Sequence, residues 1–373
     1  MNTQVVPLGI RVHDGSEAAI RQVEATLDGF GLGGLACVSC VEVDGKRVAD
    51  VALRPEIATR WTPNHDTTRL TAQLELDTLR SPGDVEKEIA VALLASPITV
   101  PFPSVEELRA CIRIRRNAVV AGRRTELNFD TAAAERPNDC WLEDEERGFT
   151  VRPGCSLVEA LRKATQPEVS GQLYSFSCYR ATEYVILLAI AEELAVCNPA
   201  LSAQLQTQCE RRIIRSGQFH EVFMHEYGTQ DSPIPTHYYV PGDRVWFRNP
   251  DDRSSDVIGF EGSWVLYLGG GLFTNFWKRD RPYTLDSKCL EIYHWRHGAY
   301  TNAAGELAMD ETIVERRVEE TLRDESEKQK ILGMMMQWKA RQGVYGQGGC
   351  IDTTREGPRW VCPGTSDLVL PMN

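Results

Sequence analysis

Apolar residues fall at helical spacing over Ser16–Leu27, where Ala19, Ile20, Val23 and Leu27 share one face, and a glycine-rich break follows. Two strand-like runs, Leu35–Val43 and Val48–Leu53, flank Asp44-Gly45 and predict a β-hairpin. Thr68–Leu79 alternates, Val85–Leu94 is helical, and the proline-flanked stretch Ser96–Pro103 reads as a linker. Past Ser104 the helical pattern returns with Val105, Leu108, Cys111 and Ile112 on one face, and Ser104 with Glu107 fits a capping box. A short hairpin is predicted over Cys140–Val151, punctuated by Asn138-Asp139 and Glu146-Arg147-Gly148. Helices follow at Ser156–Ala164 and Cys178–Val196, then strands at Thr236–Val240, Asp243–Arg248 and Ser263–Leu268. Glu311–Arg341 is charged and helical, and the chain after Gly343 is rich in glycine and turn residues. The order gives an α+β protein in three parts: an N-terminal α+β domain (1–100), a central domain (101–300), and a C-terminal helix with an irregular tail (301–373).

At 373 residues the chain has ample material for a large core. Its 41 lysines and arginines against 53 aspartates and glutamates leave a net charge of −12, which argues against nucleic acid and anionic membranes as partners. Charged residues within Met1–Ile20 interrupt any signal-peptide core, and the apolar run Tyr184–Ala191 is too short to span a bilayer. The expected location is cytoplasmic, with delivery elsewhere by a dedicated route left open. Eleven cysteines without framework spacing suit free thiols better than a disulfide scaffold.

Several motifs dissolve on inspection. Gly29–Gly34 spells a dinucleotide fingerprint, but a helix precedes it and a strand follows, the reverse of what that fold needs. Cys37 and Cys40 read as buried structural thiols, while Cys350 and Cys362 could pair or bind metal without nearby support. His294 and His297 have helical ligand spacing, but Leu290–Tyr293 looks extended. Met334–Met336 with Trp338 reads as core or docking surface. Asp251–Asp256 lacks the glycine and closing glutamate of a calcium loop. No metal or cofactor is expected.

Gly171–Glu183 is different, because a glycine- and aromatic-rich loop delivers Cys178 to the first turn of a long apolar helix. There the helix dipole and free amides lower a thiol pKa and can cradle an oxyanion. The competing reading is a small buried helix residue.

Further segments occur in a fixed order: Leu108–Ala121, Phe149–Lys163, Gly-x-x-Tyr-x-Phe-x-Cys ending at Cys178, Ile234–Tyr239, Gly242–Pro250, and Glu261 leading into Trp264–Gly269. Over Val105–Trp277 this set resembles the small bacterial spore-coat transglutaminases of Bacillus, the protein-glutamine gamma-glutamyltransferases. The resemblance implies a papain-like (NlpC/P60-type) domain, its nucleophile at a helix start packed on an antiparallel sheet, and calcium independence. It assigns the nucleophile to Cys178 and the opposing glutamate to Glu261, with Ser263 a rival because a two-residue insertion follows Glu261. The family's histidine falls on Asn275, an amide that could orient a neighbour, and the family's glutamate before the cysteine is Ser177 here. Tyr174, Phe176, Trp246 and Trp264, with Tyr238 and Phe276, are candidates for an aromatic substrate channel, or simply core.

The implied reaction joins a glutamine donor to a lysine or other primary amine on protein substrates. A cysteine hydrolase of the same fold, a deamidase or amidase, and a catalytically inactive binding module are the alternatives.

Overall fold

The computed structural model describes residues 5–128, 134–144, 148–212, 216–340 and 348–371. Glu146 and Arg147 of the expected turn, together with Arg341 and Gly343, lie outside the described residues. The fold is α+β, as the alternation of periods predicts.

The N-terminal part opens with β1 (Ile10–Val12), α1 (Glu17–Gly29) capped by Ser16, and the hairpin β2 (Ala36–Val43) and β3 (Lys46–Leu53). Asp44 and Gly45 both take positive φ at its turn. After α2 (Pro55–Trp61), α3 (Leu70–Gln73) and α4 (Pro82–Leu94) comes β4 (Val100–Phe102). Two expectations are corrected here. Thr68–Leu79 forms a short helix and turns instead of a strand, and the proline-flanked linker carries β4, which pairs in parallel with β1 and buries Val100 and Phe102. The sheet runs β2-β3-β1-β4, so β2 is an edge, and Cys37 and Cys40 on it are exposed instead of buried.

Helix α5 (Val105–Arg124) has two apolar faces. Leu108, Cys111, Ile112 and Val119 join the N-terminal core, together with Ile234, Tyr238 and Val240 from far along the chain, whereas Ala110, Ile114, Ala118 and Ala121 join the central core. Ser104 caps the Glu107 amide, but the Glu107 side chain does not turn back to complete a capping box. It is buried instead and accepts from the amides of Val361 and Cys362 and the hydroxyl of Thr365, which ties the C-terminal segment to α5.

The hairpin β5 (Trp141–Asp144) and β6 (Gly148–Val151) precedes α6 (Leu157–Thr165), α7 (Pro167–Ser170), α8 (Cys178–Cys197), α9 (Pro199–Arg211) and α10 (Ser216–Phe223). The hairpin brings Cys140 and Cys155 to a Cα separation of 5.4 Å, and they form a disulfide. That corrects the expectation of free thiols throughout; the remaining cysteines are free.

Next come β7 (Met224–Tyr227), β8 (Arg244–Arg248), α11 (Asp252–Ser255), β9 (Gly262–Gly269), β10 (Leu272–Phe273), β11 (Tyr283–Thr284) and α12 (Leu285–Gly298). The strand expected at Thr236–Val240 is irregular, and the segment Leu290–Tyr293, expected to be extended, lies within α12. A small hairpin, β12 (Ala299–Thr301) and β13 (Leu307–Met309), leads to α13 (Glu311–Arg323), α14 (Glu325–Met335) and β14 (Arg355–Pro358). The charged C-terminal helix is therefore two helices, parted at Asp324, which caps the second.

The main sheet runs β11-β10-β9-β8-β14-β7. Strand alternation gives it two faces: Leu266 joins the core under α8, while Val245, Phe247, Val265 and Tyr267 join the core under α12 and α14. The irregular tail thus contributes an inner strand.

The turn after β9 leans on α4 through Glu88, whose carboxylate accepts from the Gly270 amide at 2.7 Å. Burial raises its pKa to about 7. A carboxyl whose folded pKa exceeds its unfolded value loses stability as pH rises from the unfolded value through the folded one. The difference is worth about 3 kcal/mol at most. Glu88→Gln should leave the melting temperature unchanged near pH 4 and raise it above pH 7; a melting temperature lowered equally at both would refute the assignment.

Candidate functional site

Gly171, at φ 80°, ends α7 and turns the chain into the loop before α8. Tyr174 and Ser175 of that loop are held by backbone bonds from Asn128 and Glu135. Phe176 is fixed by Arg136, a buried guanidinium 4.0 Å from its ring centre that also lies over Phe149 and Tyr184. Ser177 then caps α8, its hydroxyl accepting from the Arg180 amide at 3.2 Å. Because the cap takes the third amide, those of Cys178 and Tyr179 are left to face the Cys178 sulfur.

Cys178 is half-buried and opens onto a cleft of about 870 Å³. The backbone amide of Trp264 on β9 faces its sulfur. Burial nevertheless dominates and pushes the thiol pKa up, while the Trp264 amide, the Lys288 charge and the two helix amides pull it partly back. The expected lowering by the helix start is therefore present but outweighed.

The other expected residues divide. Phe176 lines the cleft. Tyr174 is packed in the central core, with Phe276, while Tyr238 belongs to the N-terminal core. Trp246 and Trp264 pack on each other behind Cys178, under the buried Arg244 guanidinium, which lies 4.0 Å from the Trp264 ring and bonds Glu356 at 2.9 Å. Gly262 is needed beneath them, since a Cβ there would lie 2.3 Å from the Trp246 ring.

Glu261 also lines the cleft, but it is exposed at the rim and its carboxylate accepts from the Gly259 amide at 3.3 Å. Ser263, at the edge of burial, sits next to the amide that reaches the sulfur. Asn275 is on the cleft wall with both ends of its amide in use. Nδ2 donates to the Arg281 carbonyl, and Oδ1 accepts from the amides of Trp277 and Lys278. It shapes the loop after β10, so the expectation that it orients a neighbouring catalytic group gives way to a backbone role.

Sequence reasoning missed the far wall. Lys288 and Glu291, one turn apart on α12, line the cleft with their charged groups 2.6 Å apart. Tyr283 donates its hydroxyl to Glu291 at 2.9 Å, and its ring lies 4.0 Å from the Lys288 nitrogen. The signal was the spacing of Leu285, Cys289 and Ile292, which marks α12 as a helix with Lys288 beside its buried face.

His294 contacts His297 at 3.0 Å and Thr321 at 2.9 Å, and burial brings its pKa down to about 4. Among the described residues the grouping that could hold a metal is Cys140, Cys155 and Glu159, and its two sulfurs are bonded to each other. Asp251 caps α11 through Ser254. No helix among the described residues is long and apolar enough to cross a membrane.

The site thus sets a half-buried thiol at a helix start, with helix and strand amides beside it, at the wall of an open cleft. The chain belongs to the protein-glutamine gamma-glutamyltransferase family, whose sequence model matches residues 66–337. Membership makes it a transglutaminase-like protein with proteins as substrates. No match is found among curated proteins.

Proposed function

We propose that this protein forms isopeptide bonds through a thioester on Cys178. The sulfur attacks the carboxamide of a substrate glutamine, the C–N bond breaks, and the thiol proton leaves with ammonia. A lysine or other primary amine then takes the acyl group, and the thiol is regenerated. The observation that carries this reading is Cys178 at the first turn of α8, open to the cleft, with the helix-start amides that face its sulfur beside it. The helix-start cysteine packed on an antiparallel sheet also supports a papain-like, metal-independent mechanism. In this reading Glu261, exposed at the rim, takes the proton of the incoming ammonium rather than that of the thiol.

The test is incorporation of a labelled primary amine into a glutamine-bearing protein in chelator-treated buffer. Ammonia release without incorporation would instead mark a hydrolase. The reading as an inactive binding module draws on one observation: both ends of the Asn275 amide are bound to backbone, so no histidine equivalent serves the sulfur from that position. Neither ammonia nor incorporation across a panel of glutamine proteins would favour it.

A further inference from the structure

We infer that Lys288 is the positioning cation of the Cys178 thiolate, supplying from α12 the positive charge that Asn275 cannot. The inference rests on the reading of Cys178 as nucleophile.

A lysine ammonium is rarely buried, because leaving water is costly unless a counter-charge and further contacts compensate. Lys288 is 3% exposed, yet it borders an open cleft instead of the core. Its charge is held in place from two sides, by the Glu291 carboxylate and by the face of the Tyr283 ring, with Trp295 further off at 5.8 Å. Tyr283 in turn fixes Glu291, so the ammonium has little freedom to move.

The surroundings set the sign of the local field. From α13, Glu311 and Glu315 face this corner; Glu315 pairs with Lys278, and burial with the charges of Glu291 and Glu315 raises the Glu311 pKa. From α8, Arg180 is engaged by the fully buried Glu183 at 2.8 Å. Lys288 and Cys178 line the same cleft, and the positive charge of Lys288 acts in the direction that favours thiolate. A thiol otherwise raised by burial needs such help, since the thiolate is the species that attacks.

The readout is the pH dependence of Cys178 alkylation by iodoacetamide, with the modified residue mapped by mass. Lys288→Met should move the midpoint to higher pH and slow alkylation at pH 8 by about three- to tenfold, and Lys288→Arg should restore most of it. Glu291→Gln, which removes the opposing charge but leaves an acceptor, should move the midpoint the other way. A Lys288→Met protein that melts as the wild type does but keeps the wild-type profile overturns the inference. So does a Glu291→Gln profile shifted in the same direction as Lys288→Met, because the pair would then act only as scaffold. If Lys288→Met does not fold, the sign of the Glu291→Gln shift decides. Failure of the nucleophile reading shows separately, as amine incorporation that survives Cys178→Ala.

Discussion

Cys178→Ala should abolish amine incorporation, with a loss on the order of a thousandfold or more, while leaving the melting temperature close to that of the wild type. The size of the loss follows from chemistry, because without sulfur no thioester forms and the cleft retains only binding. The modest effect on stability follows from position: the side chain is half-buried at a cleft wall, and Ser177 still caps α8. The exposed thiols Cys37 and Cys40 serve as controls, and replacing both should change nothing in the rate. Cys140 has no free thiol to offer. Because burial raises the Cys178 pKa, wild-type turnover should climb from neutral to alkaline pH as thiolate forms. Incorporation that persists in Cys178→Ala would end the mechanism proposed above.

Asp243→Ala should lower the free energy of unfolding by about 3–5 kcal/mol, the usual result of stripping one partner from a fully buried ion pair. Arg115 on α5 meets Asp243 at 2.7 Å, with side chains 3% and 2% exposed. Asp243 also accepts from the Val240 amide at 2.8 Å and so fixes the entry to β8. Arg115 donates to the carbonyl of Pro241 as well, and its charge has no route to water. Replacing both residues with apolar ones, Arg115→Met with Asp243→Leu, should recover part of the loss, since no lone charge is then buried. Urea unfolding midpoints check both variants; a loss below about 1 kcal/mol in the single variant would contradict this account.

The contrast between legible and illegible parts is physical. Ser104 announced a helix start because capping is a local hydrogen bond, and Asp44-Gly45 announced a hairpin because the turn demands positive φ. Cys178 was visible for the same reason, as a helix-start residue. Strand β14 was not, since Arg-Glu-Gly-Pro has no apolar alternation to read. It is held by charge: the buried Arg355 guanidinium donates to the carbonyls of Tyr238 and Asp352, and Glu356 bonds Arg244 and His220. Those partners lie more than a hundred residues away or across a turn, beyond any local pattern. Lys288 was missed likewise, because a buried cation looks in sequence like any exposed lysine.

Strand β14 pairs on one side with β7 over Arg355–Pro358 and on the other meets β8 where Glu356 faces Arg244. On a ribosome, Cys178 is made well before this strand; at ordinary elongation rates the interval is roughly 10–35 s. From the time β8 is made until β14 follows, β8 has a bare edge, and the Arg244 guanidinium behind Trp264 lacks the carboxylate of Glu356. The acceptor side of Glu107, too, has nothing to hold until Val361, Cys362 and Thr365 emerge. The wall behind the Cys178 thiol is thus completed by a strand made well over a hundred residues after the thiol itself.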